Sequence, residues 1–187
     1  MTNIFFTSDT HYQHKKIIEY CNRPFKDMQD MEDSLVDNWN AMVGKDDTVY
    51  HLGDFAFANK EECQRIFSRL NGRKFLIKGN HDGKAVTKLP WEDVHKFATL
   101  DSPHTSLYLV HDPKDWNEQG WLLHGHLHSK HVDTGPRQIH IGVDAWDFKP
   151  VSLDKVMQII ERGNDGIKRD EDSTGHEEGI SEGSRGS

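Results

Sequence analysis

Five polar clusters recur along this 187-residue chain: Asp9-Thr10-His11, Gly53-Asp54, Gly79-Asn80-His81-Asp82, His111 and Gly125-His126-Leu127-His128. Each follows a short apolar run. A strand-forming run that ends in Asp, Asn or His delivers those side chains where the backbone leaves a sheet. Recurring in this way, the pattern calls for strands whose ends meet along one edge of the fold, because imidazoles and carboxylates scattered singly through a core would be costly to bury.

The apolar patterning between the clusters supplies the strands and what covers them. Ile4 to Thr7 predicts a buried first strand. Within Asp27 to Val43, Met28, Met31, Leu35, Trp39 and Met42 fall on one helical face, with Asp30, Glu32, Asp33, Asp37 and Asn38 on the other. Thr48 to Leu52 predicts a second strand. Cys63, Ile66, Phe67 and Leu70 repeat at helical spacing, and Phe75 to Ile77 predicts a third strand. This β-α-β-α-β order favours neighbouring parallel strands. The second half is richer in strands, at Val94 to Leu100, Ser106 to Val110, Trp121 to Leu123 and Gln138 to Val143. A last helix begins after Ser152 as N-cap, carries Leu153, Val156, Met157 and Ile160 as its stripe, and is expected to stop at Gly163.

Length allows one domain with a real core. We place it at residues 1–162, followed by an acidic, Gly/Ser-rich tail at 163–187 that is expected to be disordered and holds seven acidic against three basic residues. The formal charge of −8 argues against a broad basic surface for long nucleic acid. No apolar stretch approaches the roughly 18 residues that span a bilayer, and the first residues lack the basic start and apolar run of a signal peptide. Cys21 and Cys63 lack the spacing of a zinc or redox site. These features point to a soluble cytoplasmic protein, with no membrane association and no protein partner evident.

The clusters carry the chemistry. Imidazole nitrogen and carboxylate oxygen suit divalent ions of borderline softness, and a close pair of such ions needs a bridging ligand. Asp54 is the best candidate for the bridge, since Gly53 permits close backbone approach. Asp9 and His11, two residues apart, would share a face of an extended strand and chelate one ion. His126 and His128 have the same spacing, but a bend in their loop would let each serve a different ion. His124, nearby, would suit an orienting role behind the ligands. His51 and His140 lie within strands and read as core histidines. Trp39 fits the helix core, whereas Trp116, Trp121 and Trp146 could line a pocket.

Taken in order, these motifs resemble those of the calcineurin-like metallophosphoesterase superfamily: D-x-H at Asp9 and His11, GD at Gly53-Asp54, GNH followed by an acid at Gly79 to Asp82, a lone His at His111, and GH-x-H at Gly125 to His128. The chain further resembles small bacterial and phage single-domain members through Asp9 to His14, Asn22-Arg23-Pro24-Phe25, and Gly142 to Trp146 leading to Lys149 to Ser152. The resemblance implies an α/β fold of mixed α+β character, a four-layer αββα sandwich of two mixed sheets flanked by helices. It also implies two divalent metal ions, from Mn, Fe, Zn or Ni with Mn favoured. Asp9, His11 and His128 would hold the first and Asn80, His111 and His126 the second, with Asp54 bridging and His81 beside the substrate. Where many members place another acid shortly after the GD motif, this chain has Phe55-Ala56-Phe57.

The implied activity is that of a dinuclear metal-dependent phosphoesterase, a phosphatase or phosphodiesterase, in which a metal-bridging hydroxide attacks phosphorus, His81 acts as general acid and Asp82 orients it. Two divalent ions, the two carboxylates and a hydroxide leave the core about one charge positive, which explains how an acidic protein would attract a phosphate ester. The expected substrate is small, with a nucleotide among the candidates. His14, Arg23 and Arg137 are candidate contacts to its phosphate. An alternative is a phosphodiesterase of cyclic or short nucleotides. A scaffold that keeps the fold without catalysis, as a subunit of the retromer coat does, would be expected to lack a ligand or the GNH histidine, yet Asp54, Asn80 and His81 are all present.

Overall fold

The computed structural model describes residues 2–102, 105–128 and 130–173. In chain order its elements are β1 (Ile4–Thr7), α1 (Lys15–Tyr20), α2 (Met28–Met42), β2 (Thr48–His51), α3 (Lys60–Arg69), β3 (Arg73–Ile77), α4 (Lys84–Thr87), β4 (Val94–His95), β5 (Phe97–Asp101), β6 (Ser106–Val110), β7 (Trp121–His124), β8 (Asp133–Gly135), β9 (Gln138–His140), β10 (Val151–Ser152) and α5 (Leu153–Ser173). They form two mixed five-stranded sheets with flanking helices. The first runs β10-β1-β2-β3-β4, parallel except for β10. The second runs β5-β6-β7-β9-β8, with β6, β7 and β9 parallel and both edge strands antiparallel. The expected two-sheet sandwich is therefore what forms.

Alternation along the parallel strands divides the core in two. Phe5, Val49 and Leu76 join a cluster with Met31, Leu35 and Trp39 of α2 and Cys63, Ile66 and Phe67 of α3. Phe6, Leu52 and Ile77 join Leu107, Leu109, Leu123 and Ile139 of the second sheet, together with Val156 and Ile160 of α5. Both long helices on the first sheet are capped as their sequences imply, with the Asp27 side chain accepting from the Asp30 amide and that of Asn59 from the Glu62 amide. The buried Glu32 of α2 then binds α3 directly, taking hydrogen bonds of 2.7 Å from each of two Arg65 nitrogens and a further one from Arg69. Gln13, in the loop after β1, donates to the same carboxylate.

Three expectations about element ends are corrected. The run from Val94 to Leu100 is split, β4 completing the first sheet beside β3 and β5 opening the second beside β6, so the chain changes sheets at Lys96 with no intervening loop. The run expected to reach Val143 ends at His140, because Gly142 forms an isolated parallel bridge with Ser8 and the Val143 amide donates to the Ser8 carbonyl. Gly163 does not stop the last helix, which continues to Ser173. That glycine instead permits close packing, since a Cβ there would lie 2.8 Å from the Trp121 ring. Residues 174–187 of the expected tail lie outside the described residues. Among the described residues no helix is long and apolar enough to cross a membrane.

The Glu32 network gives a stability prediction. Arg65 and Arg69 retain side-chain exposures of 42% and 33%, so both can turn to water once the carboxylate is gone. Glu32→Ala should therefore cost about 2 kcal/mol in chemical denaturation, less than the roughly 3–5 kcal/mol of a fully buried broken pair.

Candidate metal centre

Every polar cluster lies at or just beyond the C-terminal end of a strand: Asp9 after β1, Asp54 after β2, Asn80 to Asp82 after β3, His111 after β6, and His126 and His128 after β7. The backbone there is not extended. Asp9, His11, Asp54, His126 and His128 have φ of 56°, 48°, 58°, 70° and 48°, in the left-handed region that non-glycine residues rarely occupy. Asp9 and His11 therefore do not share a face as residues of a straight strand, as their spacing suggested, but are turned toward each other by two left-handed residues. Such conformations persist where surrounding contacts impose them. Here the Asp9 amide donates to the Gly53 carbonyl, the His11 amide to that of Asp54 and the Tyr12 amide to that of Phe55.

Three glycines make the approach possible. A Cβ at Gly53 would lie 2.6 Å from Gly79 Cα, one at Gly79 would lie 2.3 Å from Asp54 Oδ1, and one at Gly125 would lie 2.6 Å from Asp9 Oδ2. Any side chain at these positions would push ligand-bearing loops apart.

Three groups of side chains place their ligand atoms within 4.8 Å of one another: Asp9, His11 and His128; Asp9, Asp54 and His111; and Cys21, His128 and Asp144. Asn80 and His126 complete the second region, with Asn80 Oδ1 2.9 Å from His111 Nε2 and 3.1 Å from His126 Nδ1. Asp54 Oδ2 lies between the regions, 3.6 Å from His11 Nε2 and 3.3 Å from His111 Nε2. The loop at Leu127 bends, so that His126 faces Asn80 and His111 while His128 Nε2 lies 3.9 Å from Asp9 Oδ1. All seven sequence-derived ligand candidates thus converge. The donor set fits divalent cations, and one observation argues for them directly: both ring nitrogens of His11 are buried and lack a hydrogen-bond partner.

Groups behind the cluster orient it. His111 Nδ1 lies 2.7 Å from the Leu52 carbonyl, and that contact presents Nε2 inward. His128 Nδ1 lies 3.3 Å from Asp144 Oδ2, with the same result. Asp144 lies within the Gly142 to Trp146 motif, which by itself gives no sign of this role. Its carboxylate is held by Arg23 through two bonds of 2.9 Å, and Arg23 also donates to the Asp9 and Thr10 carbonyls. Arg23, expected at the substrate phosphate, is buried and committed to these acceptors. Cys21, which lacks the spacing of a zinc or redox site in the sequence, nonetheless places its sulfur near His128 and Asp144.

Asp82 is corrected as well. It does not orient the His81 ring, because both carboxylate oxygens accept backbone amides, from Asp54 and Gly79 on one and Phe55 on the other. His81 is exposed, its ring 5.7 Å from that of His11, and its amide donates to Asp54 Oδ1. His14 is nearby, 5.4 Å from His11 and stacked on Phe57 at 4.6 Å. Arg137 is not brought to the cluster. It precedes β9, at the other end of the strand from the ligands, over the Trp116 ring. His124 is buried between the Gly125 carbonyl and Thr134 Oγ1, securing the loop rather than contacting a ligand side chain. Trp121 and Trp146 do line cavities, Trp121 beside Gly163 and Ile159 of α5 and Trp146 beside Pro150 and Val151, both away from the cluster.

Burial and the neighbouring carboxylates set the charge of the cluster. Burial opposes charging of His111, but Asp54, Asp9 and the Leu52 carbonyl outweigh it and push its pKa up to about 9. Burial is likewise overcome at His128 by Asp144, Cys21 and Asp9, which push it up to about 10. His11 is held below the usual histidine range, chiefly by burial. Burial pushes the Asp9 carboxyl up against the pull of His111, His128 and Ser8.

Comparison with known proteins agrees with this geometry. The family model for calcineurin-like phosphoesterases matches residues 2–163. An uncharacterized protein of Methanocaldococcus jannaschii is 36% identical over 173 residues, covering 87% of this chain and 94% of its own length. The gene 66 protein of Mycobacterium phage L5 is 34% identical over 201 residues, covering 86% and 95%. A crystal structure of a protein of unknown function from Aquifex aeolicus superimposes with a TM-score of 0.69 at 26% identity, covering 85% of this chain and all of that one.

Against burial, the carboxylates beside His111 and His128 push their pKa values up to about 9 and about 10, so a cation held by both imidazoles would have to displace protons at pH 7. Titration calorimetry with Mn or Zn in buffers of different ionisation enthalpy should therefore show release of about two protons per chain. Affinity should rise with pH until those groups deprotonate, through about 9 and then about 10.

Proposed function

Because this chain belongs to the calcineurin-like phosphoesterase family, we propose that it is a metal-dependent phosphoesterase hydrolysing a small phosphate ester at the strand ends described above. The observation that carries this reading is the position of Asp54 Oδ2 between His11 and His111, joining two ligand groups, with the His81 ring beside them and in neither. Asp9, His11 and His128 would hold one divalent ion, Asn80, His111 and His126 a second, and Asp54 would contact both. Mn is our first choice among Mn, Fe, Zn and Ni. When bound, such ions supply Lewis-acid polarisation of the phosphoryl oxygens and an activated water.

The chain's own residues do the rest. His81 is exposed at the mouth of the site, and its backbone is fixed by the bond from its amide to Asp54. It is thereby placed to give a proton to the oxygen that leaves phosphorus as the water oxygen bonds to it, and to regain one from solvent. His14 stands beside it as a contact to the phosphate. Arg23 contributes from behind, by holding Asp144 against His128.

Two experiments test the reading. Chelator-stripped protein reloaded with Mn, Zn, Ni or Mg should hydrolyse a nitrophenyl phosphomonoester or phosphodiester, and the preferred ester separates phosphatase from phosphodiesterase. Asp54→Asn should abolish that turnover, and no turnover with any metal would move the assignment to a non-catalytic scaffold. His81→Asn should lose roughly 100- to 10,000-fold on an alkyl ester but far less on a nitrophenyl ester, whose leaving oxygen needs little protonation. Equal losses on both would remove His81 from the acid role.

A further inference from the structure

The segment after the GD motif, where many relatives of this fold were expected to carry an acid, holds Phe55, Ala56 and Phe57. Phe55 and Ala56 are buried, but Phe57 is 49% exposed. Its exposure is not looseness. The Phe57 amide donates to the Tyr12 carbonyl at 2.8 Å, Ala56 forms a parallel bridge with Tyr12, and the ring is stacked on His14 with planes 22° apart. A rigid aromatic ring is thus kept at the surface, against the usual tendency to bury it.

Its neighbours give the ring a direction. The Phe57 and His81 centroids are 5.2 Å apart, and Tyr20, 70% exposed, lies 6.4 Å beyond His14. Beside Phe57 and His81 opens a cleft of about 220 Å³, walled by Ala56, Ala58, Ala85 and Val86, with Lys84 as its charged member. A cavity of roughly 150 Å³ is enough for benzene. Gly83, at the rim of this cleft, has no atom within 4 Å of where a Cβ would project. On the other side of the metal ligands the surface is polar, with Lys78, Lys96, Asp112 and Asp115 around Asn80 and His111. The less charged side, with Lys84 against four charged residues opposite, is therefore the side of the proton donor, where the leaving alcohol would lie.

We propose that Phe57 and the cleft beside His81 form a subsite for a planar aromatic group carried by the leaving alcohol of the substrate, the chemistry shared by nucleosides and aryl alcohols. This rests on the phosphoesterase reading and goes beyond it by naming the class of leaving group. Stacking on an exposed ring tolerates any flat π-face, so the subsite selects planarity rather than a particular base. Because His14 already holds the Phe57 ring, little ordering is left for the substrate to impose.

The test compares 2-phenylethyl and n-butyl phosphates, as mono- or diesters according to the class the protein turns over. Their leaving alcohols have similar acidity and differ in the ring. The metal-loaded wild type should prefer the phenylethyl ester, and Phe57→Leu should reduce that preference roughly 5- to 100-fold, mainly through KM. Phe57→Tyr, which keeps the ring, should restore it. A nucleoside phosphate of the same ester class assayed alongside distinguishes the two sources, being preferred over the phenylethyl ester if nucleosides are the natural group. Hydrolysis of both alkyl esters without ring preference, or a preference that survives Phe57→Leu, would overturn the subsite alone. Hydrolysis of neither, nor of nitrophenyl esters, would overturn the phosphoesterase reading and the subsite with it.

Discussion

The carboxylate of Asp82 is the contact on which the geometry of the strand ends depends. By accepting the amides of Asp54, Phe55 and Gly79, it locks the turn after β2 to the turn after β3. Asp54 can then sit in its left-handed conformation with Oδ2 facing His11 and His111 and Oδ1 accepting the His81 amide, while Asn80 is presented beside it. Three backbone donors on one buried acid satisfy groups that two tight turns would otherwise leave unpaired. The glycines at 53 and 79 let the turns come close enough for this, since neither position has room for a Cβ.

Much of the fold was legible because it is written in short-range patterns. Ile4 to Thr7 and Ser106 to Val110 appear as strands where their apolar runs placed them, and Met31, Leu35 and Trp39 of the expected stripe are buried on α2, whereas Met42 is exposed and Glu32, expected in water, is buried. The ligand candidates were legible for the same reason, each being tied to the end of an apolar run. What escaped were partnerships made across the sandwich. Arg23 and Asp144 are 121 residues apart, and no local cue distinguishes a buried guanidinium that braces a ligand from one that meets a phosphate. Asp82 sits next to His81 in the chain, yet its oxygens point to backbone amides. The change of sheet at Lys96 was invisible because strand propensity runs through it unbroken from Val94 to Leu100.

The electrostatic character of the cluster follows from its burial. An acidic chain gathers two carboxylates and several imidazoles at one place, and those carboxylates help to raise the pKa values of His111 and His128. The bond between Asp144 and Arg23 extends this arrangement outward, with alternating charge running from Asp9 through His128 and Asp144 to Arg23. Each member is oriented by the next, as is usual around ligands that must hold one ring nitrogen toward a metal.

The change of sheet at Lys96 also decides where the ligand groups are carried. Asp9, His11, Asp54 and Asn80 follow strands of the first sheet, whereas His111, His126 and His128 follow strands of the second. Each proposed ion would draw on both, and would thus act as a rivet between two layers held together elsewhere mainly by apolar contact. Asp9 and His128 stand 119 residues apart in the chain, so such a rivet would close a long loop and couple folding to ion supply. Under metal starvation the sandwich would lose its fastening along one rim, and the chain's lifetime against proteolysis would then follow the availability of ions in its surroundings.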